Sequence, residues 1–457
     1  MKRAYSMLGA LLLLAAACGG ESTDRGGTTP PQTLDDQLRA TLQQWGAVPI
    51  GAVNPQDPAL VDLGKSLFFD KELSGNRDVS CGTCHSPLNH TADVLSLSIG
   101  TGGSGTGTAR QLGGGRQFTP RNAPALLNTG LGAFYVFWDG RISDLGGPQN
   151  HSFKTPAGAA LPSGLTNVLA AQAMFPVTNR NEMRGEAGDR DVFGNVNELA
   201  AYDTADFAGI WGGVMKRVLA INAYVAKFNA AFPGVPTSAL GFQHAADAIA
   251  SFETSSFTFT NSPFDRYLGH DDNALTTDQK QGALLFFGKA RCSTCHFGAL
   301  LGGQSFAAAA IPQLGPGVGK DAPLDLGQDP QFTGQTNRFM FRVPSLRNVE
   351  LTAPYMHDGA FATLDAVVHH YNNAEQTLRT YDVSQLDPRF AAQYHGDDVT
   401  ITAILNAAFG QVRQPLGLTD VELSQLVAFL KSLTDPAARN LAGVIPASVP
   451  SGLSVER

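Results

Sequence analysis

The chain of 457 residues carries 32 basic and 40 acidic side chains, a formal net charge of −8. That balance argues against nucleic acid as a partner, because phosphate backbones are held by clustered Lys and Arg. A hydrophobic content of 43% can fill real cores, and the length suits two or three domains; 50 glycines and 26 prolines imply many turns and long loops.

In chain order, Lys2 and Arg3 precede an apolar run, Met7 to Ala17, that is too short to span a bilayer. It ends in Ala15-Ala16-Ala17-Cys18-Gly19, which resembles a bacterial lipoprotein signal over residues 1–18 with Cys18 as the lipidated residue. A leucine is more usual where Ala15 stands, so secretion with an unlipidated Cys18 is the alternative. Both readings place the chain outside the cytoplasm: the periplasm, with a membrane contact only through the lipid on Cys18. Residues 19–33 are polar and rich in Gly, Thr and Pro, the composition of a flexible linker. No other segment is long and apolar enough for a transmembrane helix.

Gly64-Lys65-Ser66-Leu67-Phe68-Phe69 precedes Cys81-Gly82-Thr83-Cys84-His85, and Gly282-Ala283-Leu284-Leu285-Phe286-Phe287 precedes Cys292-Ser293-Thr294-Cys295-His296. Each C-x-x-C-H is the attachment signature of a c-type haem: two thiols add across the porphyrin vinyl groups and the next histidine ligates the iron. The bland alternative is a pair of redox or zinc C-x-x-C sites, but only Cys18 remains as a further thiol. The echoed run before each motif reads as an amphipathic helix that delivers the chain to a haem pocket. Thr276 with Gln279, and Thr419 with Glu422, are spaced as capping boxes. The second opens a helix with Leu423, Leu426, Val427, Leu430 and Leu433 on one face, expected to pack on the second delivery helix. Gly100 to Gly105 fits G-x-G-x-x-G without a βαβ pattern around it, and reads as a mobile loop. Gly64-Lys65-Ser66 is no P-loop, since Ala59 stands at the first glycine position. No alternating strand pattern of any length is present. The expected fold is mostly α, two cytochrome c-like haem domains with long loops, at 34–262 (N-terminal) and 263–457 (C-terminal).

Further motifs fill the chain between and after the haem signatures. They are Arg121-Asn122-Ala123-Pro124, Trp138-Asp139-Gly140-Arg141, Glu182-Met183, Arg342 to Asn348, and Thr352 to Gly359. With them the sequence resembles the bacterial di-haem cytochrome c peroxidase superfamily, which includes MauG-like enzymes, from about Leu60 to Leu433. The resemblance implies a peroxide-reacting N-terminal haem and an electron-transfer C-terminal haem, with His85 and His296 as proximal ligands. It implies Trp138 as an electron relay between them and Glu182 as the distal acid that moves a proton between peroxide oxygens. It also implies a calcium ion at the junction, held by the Asn122 side chain and the Thr352 and Pro354 carbonyls.

Two departures stand out. The family's peroxidases carry a histidine sixteen residues after the first proximal histidine; here that position is Thr101, and His90 does not match. An open distal position on the first haem is expected. They also ligate the second iron with a methionine fourteen residues past the PY-x-HDG histidine, and counting from His357 gives Tyr371, as in MauG-like members. A phenolate is a hard anionic donor that lowers the iron potential; His370 and Met356 are the alternatives. The family's distal glutamine position is Pro148, with Gln149 beside it. The expected activity is reaction with hydrogen peroxide and MauG-like oxidation of a partner protein. The alternatives are peroxide detoxification with electrons from a small cytochrome c or cupredoxin, and a non-catalytic electron carrier.

Overall fold

The computed structural model describes residues 32–132, 134–147, 149–328 and 338–457. The expected signal 1–18 with Cys18, nearly all of the linker 19–33, and Pro148 lie outside the described residues. Among these, no helix is long and apolar enough to cross a membrane.

The structure is mostly helical. Helix α1 (Leu34–Gln44) starts at a Thr33–Asp36 capping box, and α2 (Pro58–Phe69) at Asp57 with Pro58 in its first turn. Then follow α3 (Val168–Ala173), α4 (Phe207–Leu219), α5 (Phe242–Ser256), α6 (Thr277–Phe287), α7 (Leu364–Asn372) and α8 (Asp420–Ser432). Both expected capping boxes form, at Thr276–Gln279 and Thr419–Glu422. Strands are two or three residues long. β1 (Tyr135–Val136), β2 (Ile142–Asp144) and β3 (Phe153–Lys154) make one antiparallel sheet, with Val136 opposite Ile142. β4 (Phe306–Ala307) and β5 (Phe341–Arg342) make another, with Phe306 opposite Arg342.

The echoed sequence has a physical cause. α2 crosses α5 so closely that a Cβ on Gly64 would lie 1.8 Å from the Ala248 carbonyl oxygen; α6 crosses α8 so that one on Gly282 would lie 1.9 Å from that of Gln425. Only glycine permits either crossing. Phe68, Phe69 and Phe252 cluster beneath the first crossing, and Phe286, Phe287 and Phe429 beneath the second, as tilted and edge-on pairs. Leu423, Leu426, Leu430 and Leu433 are buried in the second core as expected.

The expected division into 34–262 and 263–457 needs correction at both ends. Leu38 and Leu42 of α1 are buried in the second core, and Asp35 is fixed there by Lys280 (2.7 Å) and the Tyr267 hydroxyl (2.8 Å). Conversely, Leu441 and Val449 are buried in the first core. Ser451 Oγ donates to Asp70 (2.6 Å) and Lys71 pairs with Glu456 (2.9 Å). An apolar face finds whichever core is open to it, and sequence order does not restrict the choice. The glycine-rich loop is also corrected. Arg110 is 2% exposed and donates to the carbonyls of Ile99, Gly100 and Gly105 at 2.6–2.8 Å, so the loop wraps a buried guanidinium.

Candidate active site

The first haem motif forms one helical turn, Cys81–Cys84, followed by His85. His85 Nδ1 lies 3.2 Å from the Thr91 carbonyl and must donate to it. His296 repeats this with the Leu301 carbonyl at 3.0 Å. Burial pushes both imidazoles down to about 4, so both are neutral at pH 7 with Nδ1 protonated. The geometric hydrogen bond of each ring is at Nδ1, and a neutral imidazole held that way can ligate a metal through Nε2.

Each motif borders a cavity. The first, of about 1080 Å³, is lined by Cys81, Cys84, His85, Trp138 and Glu182 among others. The second, of about 200 Å³, is lined by Cys292, Cys295, His296, Trp138, Tyr371 and Met356 among others. Two thiols, a neutral imidazole and a mostly apolar wall are the donor set a covalent haem needs, and both cavities supply it. The larger has room for a small ligand as well.

Trp138 sits on the β1–β2 hairpin turn and borders both cavities. Its indole N–H donates to the Asn122 carbonyl at 2.9 Å. Arg342 on β5 also borders both; its main-chain N–H donates to the Trp138 carbonyl (2.8 Å) and its Nε to the Phe137 carbonyl (3.0 Å). Beneath them Arg121 joins Asp139 to Asp325. Burial opposes charge on Asp139, but Arg121 and Arg141 outweigh it and hold the carboxyl far below its usual range. This buried ion cluster fixes the hairpin against the segment around Asp325.

Glu182 lies on a short turn, Arg180–Arg184, whose N-terminus is capped by Asn179 Oδ1, and it borders the first cavity. Burial raises its carboxyl pKa, against the pull of Arg141. Its main-chain oxygen accepts from the Thr101 N–H at 2.9 Å. Thr101 turns its hydroxyl to Asp78 (2.8 Å) and does not border the cavity. His90 is held by the Ala438 carbonyl (3.1 Å), and Gln149 is exposed; neither borders it.

In the second cavity, Tyr371 is contributed by the last turn of α7. Burial pushes its phenol pKa up, and no hydrogen bond of its hydroxyl exists among the described residues. His370 has both ring nitrogens engaged, Nδ1 with Thr377 Oγ1 (3.0 Å) and Nε2 with the Ala309 carbonyl (3.2 Å), and does not border the cavity. Asn122 donates through Nδ2 to the Leu95 carbonyl (2.7 Å), which leaves Oδ1 free of any partner among the described residues. Thr352 Oγ1 donates to the Val349 carbonyl (3.1 Å).

Sequence reasoning missed three cavity residues. Arg342 was part of a motif with no assigned role. His357 stacks on Phe341 with ring centroids 3.5 Å apart and has a buried, unpartnered Nε2. Glu253 of α5 borders the first cavity. Its signal was its position in the echo, visible only once α5 is matched to α8.

The comparisons agree with this geometry. The family model described as di-haem cytochrome c peroxidase matches residues 58–273. The chain is 30% identical over 361 residues to the methylamine utilization protein MauG of Methylorubrum extorquens, covering 78% of this chain and 82% of the relative. It is 33% identical over 316 residues to the cytochrome c551 peroxidase of Pseudomonas aeruginosa, covering 69% and 72%. Among solved structures, a MauG-like protein associated with microbial copper homeostasis matches with a TM-score of 0.58 at 25% identity, over 88% of this chain and 97% of that one. The diheme peroxidase BthA of Burkholderia thailandensis shares the fold, with a TM-score of 0.55 at 22% identity, over 90% and 96%. The chain belongs to the di-haem cytochrome c peroxidase and MauG family, oxidoreductases that carry covalently bound haem c.

Proposed function

We propose that this protein is a peroxide-reducing oxidoreductase of the MauG-like kind, with its peroxide site in the first cavity and a partner protein as the final source of electrons. Cys81, Cys84 and His85 would hold one haem c in the N-terminal unit. Cys292, Cys295, His296 and Tyr371 would hold the other in the C-terminal unit, the two units meeting near residue 262. Bound haem supplies the redox-active iron at which the O–O bond is broken. Glu182 faces the first cavity with a carboxyl that burial keeps protonated to higher pH than usual. It therefore suits the transfer of a proton from one peroxide oxygen to the other. Thr101 and His90 leave the cavity unobstructed. Trp138 carries oxidising equivalents between the sites.

The observation that carries this reading is the position of Trp138, one indole bordering both cavities. Tyr371 supports the MauG-like assignment, since its hydroxyl faces the second cavity unpartnered while His370 is occupied. A Tyr371→Phe variant tests it: the ferric spectrum of the second haem should change, and an unchanged spectrum removes the main support. The 33% identity to a cytochrome c551 peroxidase favours a second reading, detoxification with electrons from a small cytochrome c or cupredoxin. Rapid steady-state peroxide reduction with such a donor supports that reading, and slow turnover that quickens only with a protein substrate supports the first. We also infer a periplasmic location with a lipid anchor on Cys18. Calcium on Asn122, Thr352 and Pro354 is inferred likewise, and chelation that alters the Trp138 fluorescence would support it.

A further inference from the structure

The two helix crossings correspond residue by residue. Gly64 meets Ala248 and Phe252 in the first core; Gly282 meets Gln425 and Phe429 in the second. The residue after each phenylalanine points to its own cavity: Leu430 in the second, Glu253 in the first. An apolar side chain is what such a wall asks for. Glu253 is 5% exposed, and its Oε2 has no hydrogen-bond partner among the described residues. An ionised carboxylate so placed would be costly, so the group is stored as the neutral acid.

We propose that Glu253 is the charge-compensating acid of the first haem: it releases a proton when that haem loses an electron and recovers it on reduction. The inference rests on the reading that Cys81, Cys84 and His85 hold a haem. The exchange balances as one electron and one proton. The electron goes to the oxidant, peroxide in turnover or a redox mediator in a titration. The proton leaves the Glu253 carboxyl for solvent, and the pocket keeps its net charge. In a poorly solvated pocket a new positive charge favours a nearby carboxylate strongly. Leu430, at the matching place in the second cavity, offers no such proton.

No acid on the described helices packed against α5 is both buried and unpartnered. α5 packs on α2, α3 and α4. α2 presents Lys65, and an Asp62 paired with Lys227. α3 has no charged residue. α4 presents an exposed Lys216, and an Arg217 bound to Glu198 and to the Ser74 and Gly75 carbonyls. On α5 itself Asp247 accepts from Thr166, and His244 is bound at Gly241. Burial alone pushes Glu253 up to about 8, and its charge in turn raises the thiol of Cys81. That thiol becomes a non-titrating thioether once haem is attached.

The test is a potentiometric titration of the full di-haem protein between pH 6 and 9, followed by absorbance. One of the two one-electron waves should fall by up to about 59 mV per pH unit, the value for one proton per electron. Glu253→Gln should flatten that wave and leave the other unchanged, while Glu182→Gln should keep the slope. Infrared difference spectra of oxidised and reduced protein give a second readout, a protonated-carboxyl C=O band lost on oxidation and absent in E253Q. An E253Q protein with both haems and the parental slope, or a parental protein without that band, overturns the inference. A product with haem only at Cys292 and Cys295 overturns instead the reading on which it rests.

Discussion

In the first core Gly64 lets α2 lie on α5, and in the second Gly282 lets α6 lie on α8, each over a trio of phenylalanines. Around those matching crossings the cavity walls diverge. The first cavity is about 1080 Å³, and Glu182 and Glu253 are among the acids that border it. The second is about 200 Å³ and faces Tyr371, Met356 and Leu430. Steric constraints on the scaffold are therefore duplicated while the chemistry is not. A backbone crossing tolerates one residue type, whereas a cavity wall tolerates many and can specialise. One half presents acids to a roomy cavity, and the other a phenol and a thioether to a narrow one.

The largest test of that contrast is Glu182→Gln. Peroxide reduction in rapid mixing should fall by about 10²–10⁴-fold, the usual worth of a positioned proton carrier. The spectrum of the second haem should not change. Gly64→Val and Gly282→Val probe what the halves share. Each forces a Cβ into a carbonyl oxygen, and each should lose about 3 kcal/mol, the upper end for overpacking, in thermal unfolding. A variant as stable as the parent would show that the crossings can part.

Asp93→Asn sharpens the electrostatic side. Burial holds Asp93 up to about 6 against an ordinary 3.8, and its Oδ2 is unpartnered. Its folded pKa lies above the unfolded value, so its contribution is intact below about pH 4 and is lost as pH rises through 6. The Asn variant should gain roughly 3 kcal/mol at pH 7 and nothing at pH 3.5, by denaturant titration at both values. The smallest effect belongs to Lys289→Met, which removes an exposed pair with Glu422 (2.7 Å) beside the second crossing. Its cost should stay below about 1 kcal/mol and shrink with added salt.

Much of this was legible in the sequence because the signals are local. The C-x-x-C-H strings, both capping boxes and the stripe from Leu423 to Leu433 lie within single elements. The mostly helical fold followed from them. α5 was not legible as the partner of α2. Its core face uses Ala245, Ala248 and Ala250 beside Ile249 and Phe252, a small-residue surface suited to close approach but weak as a hydrophobic stripe. Glu253 belongs to no motif, and only the fold turns it toward the cavity. The glycine-rich loop misled because glycine reports conformational freedom. What removes that freedom here is Arg110, whose long-range burial leaves no mark on composition. The shared wall made by Trp138 and Arg342 depends on two small sheets that meet only in three dimensions.

The exchange of outlying segments between the cores has a consequence for engineering. The first core is sealed by Leu441, Val449 and Ser451, which follow both C-x-x-C-H motifs in the chain, while the second is sealed by Leu38 and Leu42, which precede both. A cut anywhere between the halves would yield two fragments, each lacking a strip of its own wall. Half-length versions built to isolate one haem would therefore need the opposite terminus supplied as a separate peptide or grafted on by circular permutation.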